Sequence, residues 1–290
     1  MTLPTPDAAA AAMAAAGLVP GQSPSPVRLP ALDQVFLARA QRLRHLAQGH
    51  SLGDWLGFIG TLTDAQHALA TAPGADLQDG SPESQWQRDL EALLAQLQDQ
   101  VPAPALPTLE ALRQADEATL SALAQRILGG QMEATDMLPA PFVMAALQLA
   151  WTRHAASLDP AAVTPGATAH SCPVCGSAPV AGVIHAGGDT AGQRYLHCSL
   201  CHTAWHHVRA ACVACGEGGN ISLRSIDDQE DGSRAEACDA CHTYLKLLLE
   251  EKAPGLDPIA DDMATLALDI LVSEEGYQRL GINPFLLMGE

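Results

Sequence analysis

All eight cysteines of this 290-residue chain fall into C-x-x-C pairs, and none lies before residue 172. The pairs are Cys172 with Cys175, Cys198 with Cys201, Cys212 with Cys215, and Cys238 with Cys241. Between Cys175 and Cys198 lie 22 residues, and 22 again separate Cys215 from Cys238, so the second half repeats the first at a shift of 40 positions. A C-x-x-C turn aims two thiolates at one point. A second turn brought up by a β-hairpin completes a tetrahedron of sulfurs, which suits zinc and iron alike. The spacing therefore predicts two metal ions. One is shared by Cys172, Cys175, Cys198 and Cys201, the other by Cys212, Cys215, Cys238 and Cys241. No catalytic residue is predicted, because four thiolates leave a metal no open position. Thioredoxin-style redox chemistry fits poorly, since that motif occurs once and in a βαβ setting.

Histidines crowd these turns: His170, His197, His202, His206, His207 and His242. Four cysteines per set need no further ligand, so the histidines are expected to support the sulfurs or meet a partner. Glycine follows the first and third turns (Gly176 and Gly216), where a left-handed backbone is expected. His202 and His242 hold the equivalent places in the other two.

Composition narrows the function further. Asp plus Glu total 33 against 15 Lys plus Arg, a formal charge of −18. From His170 to Lys252 six basic residues face ten acidic ones, a formal −4. Nucleic-acid binding draws on Lys and Arg to neutralise phosphates, so a zinc-ribbon regulator of DNA or RNA is disfavoured. Cysteines confined to four close pairs suggest a reducing compartment and metal, not a disulfide scaffold. The opening MTLPTPDAAAAAMAAAGLVPGQSPSPVRLP has no basic residue before Arg28 and only a weakly apolar core. It is expected to be a flexible cytoplasmic tail, not a leader. No stretch approaches the length of apolar residues needed to span a membrane.

The elements that must position the cysteines follow from local signals. Asp33 can cap a helix through Gln48 that Gly49 stops, and Ser51 with Asp54 resembles a capping box opening a second. Ser81-Pro82-Glu83 opens a third to about Asp99, Thr108 a fourth to Leu128, and Pro141 precedes a fifth. Past residues 160–171 the segments become short and β-like: PVAGVI, RYLHC, ISLRSI and RAEAC. Helix is expected again at Tyr244–Glu251 and, after Asp257-Pro258, where Ile259, Met263, Leu266 and Ile270 recur at helical spacing. The sum is an α+β multidomain chain. It comprises a flexible tail over 1–30, an α-helical domain over 31–165, two tandem rubredoxin-like (zinc-ribbon-like) four-cysteine metal-binding units over 166–252, and a C-terminal helical segment over 253–290. Few large apolar residues lie between Cys172 and Cys241, so metal is expected to hold that region together. The helices over 33–157 are expected to fold without it.

Several blocks together resemble the family of the formate dehydrogenase accessory protein FdhE. They are CPVCGSAPVAGV (172–183), RYLHCSLCHTAWHHVR (194–209), CVACG (212–216), RAEACDACHTYLKLLLEEK (234–252), DPIADDMATLALDILV (257–272) and GINPFLL (281–287). Weaker likeness lies in GHSLGDWLGFIGTLTDAQ (49–66) and LPAPFVMAALQLAWTRHAASLD (138–159). The resemblance implies a cytoplasmic maturation factor and not an enzyme, with iron in rubredoxin-like sites and zinc as the alternative. It implies binding to the catalytic subunit of a respiratory formate dehydrogenase, with neither nucleic acid nor membrane insertion involved. A rubredoxin-like electron carrier is the other function that iron in such sites would allow.

Overall fold

The computed structural model describes residues 24–73, 81–166, 168–226 and 232–286. The alanine run of the expected tail, residues 8–16, lies outside them. The helical region holds α1 (Leu32–Ala47), α2 (Gly53–Ala70), α3 (Pro82–Leu97), α4 (Leu106–Gln114), α5 (Glu117–Leu128) and α6 (Ala140–Ser157). Gly49 and Gly130, both at positive φ (72° and 65°), follow α1 and α5 as the sequence suggests. The side-chain caps expected from Asp33 and Ser51 are not formed; α1 and α2 begin after Ala31 and Leu52. The single helix expected over 108–128 is two, because the Asp116 carboxylate accepts the N–H of Thr119 (2.8 Å) and starts a new helix there.

Eight strands among the described residues form one sheet in the order β1-β4-β3-β2-β7-β6-β5, with β8 also paired to β7. The strands are β1 (Val27–Arg28), β2 (Pro179–Ile184), β3 (Arg194–Cys198), β4 (Ala204–His206), β5 (Ile221–Arg224), β6 (Ser233–Cys238), β7 (Thr243–Leu249) and β8 (Gln278–Arg279). The 40-residue shift seen in the cysteines extends to the backbone. The trio β2, β3, β4 is repeated by β5, β6, β7, and both trios are antiparallel. A parallel pairing of β2 with β7 joins them, with Gly182 opposite Leu247 and Ile184 opposite Leu249.

Two expectations change here. Tyr244–Glu251 is not helical: Tyr244 to Leu248 are buried in the middle of the sheet. A strand covered on both faces loses the apolar–polar alternation and becomes indistinguishable by pattern from a short buried helix. Nor is all of 1–30 tail, since Val27 and Arg28 pair with Trp205 and Ala204 and make one edge of the sheet.

The C-terminal segment forms α7 (Pro258–Ala264) and α8 (Leu266–Glu274), two helices where one was expected. Asp257 caps α7 through the N–H groups of Ile259 and Ala260. Helix α7 packs on β2, β7 and α1 at once. The same Asp257 receives Arg39 of α1 (3.0 Å), and Asp261 receives Arg42 (2.5 Å). Leu43, Leu56 and Ile59 consequently share one apolar cluster with Ile259, Met263, Phe285, Val180 and Leu196. The core runs through the boundary drawn at residue 165. Beneath α7 and α8, Lys246 of β7 is fully buried against Asp262 (3.2 Å) and Asp269 (2.5 Å), and Arg279 reaches the same two carboxylates (2.6 and 2.9 Å).

One buried ion pair crosses from the first trio to the second. Arg194 of β3 donates two bonds of 2.9 Å to Glu236 of β6, although β2 and β7 lie between those strands. Gly182 of β2 leaves room under the crossing: a Cβ there would stand 3.3 Å from the Arg194 Nε and 3.3 Å from Leu247 Cδ1.

Candidate metal centres

Each C-x-x-C turn is built by its own backbone. In the first, the Cys172 N–H donates to the Ser177 carbonyl and the Gly176 N–H to the Cys172 carbonyl (both 2.9 Å). The third repeats this, with Cys212 N–H to Glu217 (2.8 Å) and Gly216 N–H to Cys212 (2.9 Å). The second and fourth turns close the ends of β3 and β6. All four turns end in a left-handed residue, with φ of 78° at Gly176, 59° at His202, 77° at Gly216 and 53° at His242. The two histidines thus take the conformation that the glycines mark in the sequence.

These turns converge in pairs. Cys172 Sγ lies 3.4 Å from Cys201 Sγ and Cys175 Sγ 3.3 Å from Cys198 Sγ. In the second set Cys212 and Cys241 are 3.8 Å apart, and Cys215 and Cys238 3.7 Å. Within each set all four sulfurs lie within 4.8 Å of one another. A metal bound to four sulfurs at about 2.3 Å places neighbouring sulfurs about 3.8 Å apart, so the donor sets fit such an ion. A disulfide would need about 2.0 Å, and the eight cysteines are free thiols. Neither set mixes cysteines of the two halves.

Hydrogen-bond donors and burial act on the sulfurs in opposite directions. The N–H groups of Leu200 and Cys201 donate to Cys198 Sγ (3.3 and 3.4 Å). Thr203 Oγ1 lies 3.1 Å from Cys201 Sγ, and Thr243 Oγ1 2.9 Å from Cys241 Sγ. Cysteine spacing alone does not point to these threonines; their signal is a repeated Cys-His-Thr, at 201–203 and 241–243. Hydrogen bonds from Cys172, Cys198 and Cys201 hold the Cys175 thiol far below its ordinary range, while burial pushes Cys198 and Cys201 well above theirs. In the second set burial pushes Cys212 up to about 12. At Cys241 burial is outweighed by the combined hydrogen bonds of the Thr243 hydroxyl and N–H, Cys215 and Cys238, leaving that thiol at about 7.

Among the described residues no histidine joins either sulfur set. His202 instead packs edge-on against Phe36 of α1 (5.5 Å) and shares a hydrogen bond of 2.7 Å with Thr152 of α6. Burial drives it well below its ordinary pKa, and drives His197 down to about 3, so both rings are neutral. His206 meets Tyr195, His207 Nδ1 meets the Val208 carbonyl (2.8 Å), and His242 faces Tyr277. Gln148 of α6 adds a bond to the Ser199 carbonyl (2.8 Å), inside the second turn. Helix α6 therefore grips the first set, a contact with no local signal in the sequence.

Three family models cover this architecture in order: FdhE N-terminal over residues 24–168, FdhE central domain over 171–209 and FdhE C-terminal domain over 210–286. The chain belongs to the FdhE family. It is 41% identical over 286 residues to a protein FdhE homolog of Edwardsiella ictaluri, covering 92% of each chain. To protein FdhE of Escherichia coli strain K12 it is 38% identical, over 91% of this chain and 92% of that one. The crystal structure of the FdhE protein from Pseudomonas aeruginosa superposes with a TM-score of 0.81 at 35% identity, covering 91% of this chain and 99% of the other. The FdhE central model holds the first sulfur set and the C-terminal model the second.

Proposed function

We propose that this chain is an accessory factor for the maturation of a formate dehydrogenase, that it acts in the cytoplasm by binding the catalytic subunit, and that it is not an enzyme. The observation that carries this is the run of all three FdhE models along nearly the whole chain, with both cysteine sets in register. A formal charge of −18 supports a protein partner over nucleic acid. We further propose that Cys172, Cys175, Cys198 and Cys201 hold one metal ion and Cys212, Cys215, Cys238 and Cys241 a second. Iron is the expected metal and zinc the alternative. A bound ion would supply positive charge that lets buried thiols ionise, and a cross-link between turns that the chain joins only through long hairpins. The protein does the rest: left-handed residues aim the sulfurs, N–H groups stabilise them, and the sheet brings both sets onto one frame.

The test is affinity capture from cytoplasmic extract with the tagged chain as bait, alongside deletion of its gene. The catalytic subunit should co-purify, and formate dehydrogenase activity should fall in the deletion strain and return on complementation. Normal activity without this chain, or tight salt-sensitive capture of nucleic acid in place of the subunit, would overturn the reading. Metal analysis and a visible spectrum on protein purified without oxygen would separate coloured iron thiolate from colourless zinc.

A further inference from the structure

We infer that the two sulfur sets are unequal in use, and that the second is the centre at which metal exchanges, with Cys215 as the sulfur an incoming donor replaces. This rests on the reading that both sets ligate metal. The backbone repeat makes the two directly comparable, and their surroundings differ. In the first set Cys172, Cys198 and Cys201 are 3%, 1% and 0% exposed and belong to the main apolar core. Gln148, Thr152 and Phe36 of the helical region close over its second turn. Gly281 closes over the segment that leaves the first turn, so near that a Cβ on it would run into the Pro179 carbonyl.

The second set is covered on one side only: Cys212 and Cys238 are 6% and 1% exposed, and the Tyr277 hydroxyl donates to Asp239 of the fourth turn. Cys215 is exposed, and so is every residue from Gly216 to Asn220. In the fourth turn Asp239, Ala240 and His242 are exposed too, where their counterparts Ser199 and Leu200 are buried and His202 half-buried. No cysteine of this set belongs to an apolar cluster of the described residues. The loop after Cys215 contains Gly216, Gly218 and Gly219 and is exposed throughout, so no side chain of the core lies over it. Replacement of a thiolate at a four-sulfur metal requires the new donor to reach the metal from outside. At the second set it can enter beside the exposed Cys215; at the first, three of the four sulfurs are buried and the fourth, Cys175, is half-buried. In the exchange the incoming donor would take over the metal bond that Cys215 Sγ gives up, and Cys215 would leave as a thiolate, with the charge on the protein unchanged by the step. No electron moves.

The experiment uses the full-length protein loaded with two equivalents of zinc and challenged with the chromogenic chelator 4-(2-pyridylazo)resorcinol. Pulsed alkylation with N-ethylmaleimide and mass spectrometry are read in parallel. One equivalent should leave at least about tenfold faster than the other, with Cys215 labelled in the fast phase and Cys172, Cys198 and Cys201 only in the slow one. Cys215→Ser should remove the fast phase and leave a folded protein with one slowly released zinc. Release of both equivalents at one rate, earlier labelling of the first set, or collapse of the Cys215→Ser protein would overturn the inference while leaving metal ligation intact. Failure to bind zinc at all would instead refute the ligand assignment itself.

Discussion

Arg194→Met should destabilise the chain by about 4 kcal/mol at pH 7 but only about 1 kcal/mol at pH 5. The Arg194 and Glu236 side chains are 1% and 7% exposed, so neither is solvated by water. Burial already pushes the Glu236 carboxyl above its usual range with Arg194 beside it. Remove the guanidinium, and the folded chain keeps that carboxyl protonated. Holding it neutral at pH 7 costs about 1.36 × (7 − 4.3), roughly 3.7 kcal/mol. This agrees with the roughly 3–5 kcal/mol expected for breaking a buried pair. At pH 5 the same product is about 1.0 kcal/mol. The sign follows from linkage: a carboxyl raised in the folded state adds no penalty below about pH 4.3, and the penalty grows as the pH rises toward the raised value. Urea unfolding at both pH values, on protein of constant metal content, measures it. The double variant Arg194→Met with Glu236→Leu should recover most of the loss at pH 7. A loss below about 1 kcal/mol, or one that does not change with pH, would refute the view that this pair is desolvated where it joins the two trios.

Asp262 is pushed up by burial, but Arg279 and Lys246 outweigh this and hold its carboxyl below the ordinary range. Its contribution is therefore present above about pH 3.9 and lost as the pH falls through the depressed value. Asp262→Asn should lower stability at pH 7 by about 3 kcal/mol and flatten the acid limb of a stability–pH curve; an unchanged limb would count against it. His242→Gly, at an exposed left-handed position, should stabilise by up to about 1 kcal/mol. His202→Gly gives up the Thr152 bond and the Phe36 contact and should destabilise by about 1–2 kcal/mol. Thermal midpoints in the reverse order would show that the two turns are not distinguished by their neighbours.

The cysteine sets were legible because each C-x-x-C pair is local and the pairs repeat; nothing distant had to be inferred. Strands β2, β3, β5 and β6 were legible for the same reason, lying next to the turns they serve. Strand β7 was not. Lys246 interrupts its apolar run and suggests a solvated helix face, yet that lysine is buried on Asp262 and Asp269, about twenty residues on. Strand β1 has two residues and exists only because β4 offers an edge. The parallel joint between β2 and β7, the Arg194–Glu236 crossing and the grip of α6 on Ser199 depend on residues far apart in sequence. No local pattern encodes them.

Long-range packing also alters what a truncated chain should do. The periodicity of residues 33–157 suggests a helical domain that folds alone, and a fragment ending at Pro160 tests it. Such a fragment lacks Asp257 and Asp261, leaving Arg39 and Arg42 of α1 without their partners. It also lacks Ile259, Met263 and Phe285, all buried in the cluster that contains Leu43, Leu56 and Ile59. At about 1.5–3 kcal/mol for each buried side chain, the three together represent roughly 5–9 kcal/mol. A whole domain is stable by only about 5–15 kcal/mol. The fragment should therefore show helical circular dichroism but bind anilinonaphthalene sulfonate and melt without a sharp transition. A sharp, cooperative melt with no dye binding would restore the independent domain. If the dye binds, the helical region and the first cysteine set form one cooperative unit. Metal loss at that set would then be felt in α1 and α6 through Phe36, Gln148 and Thr152, whereas loss at the exposed second set would leave the helices in place.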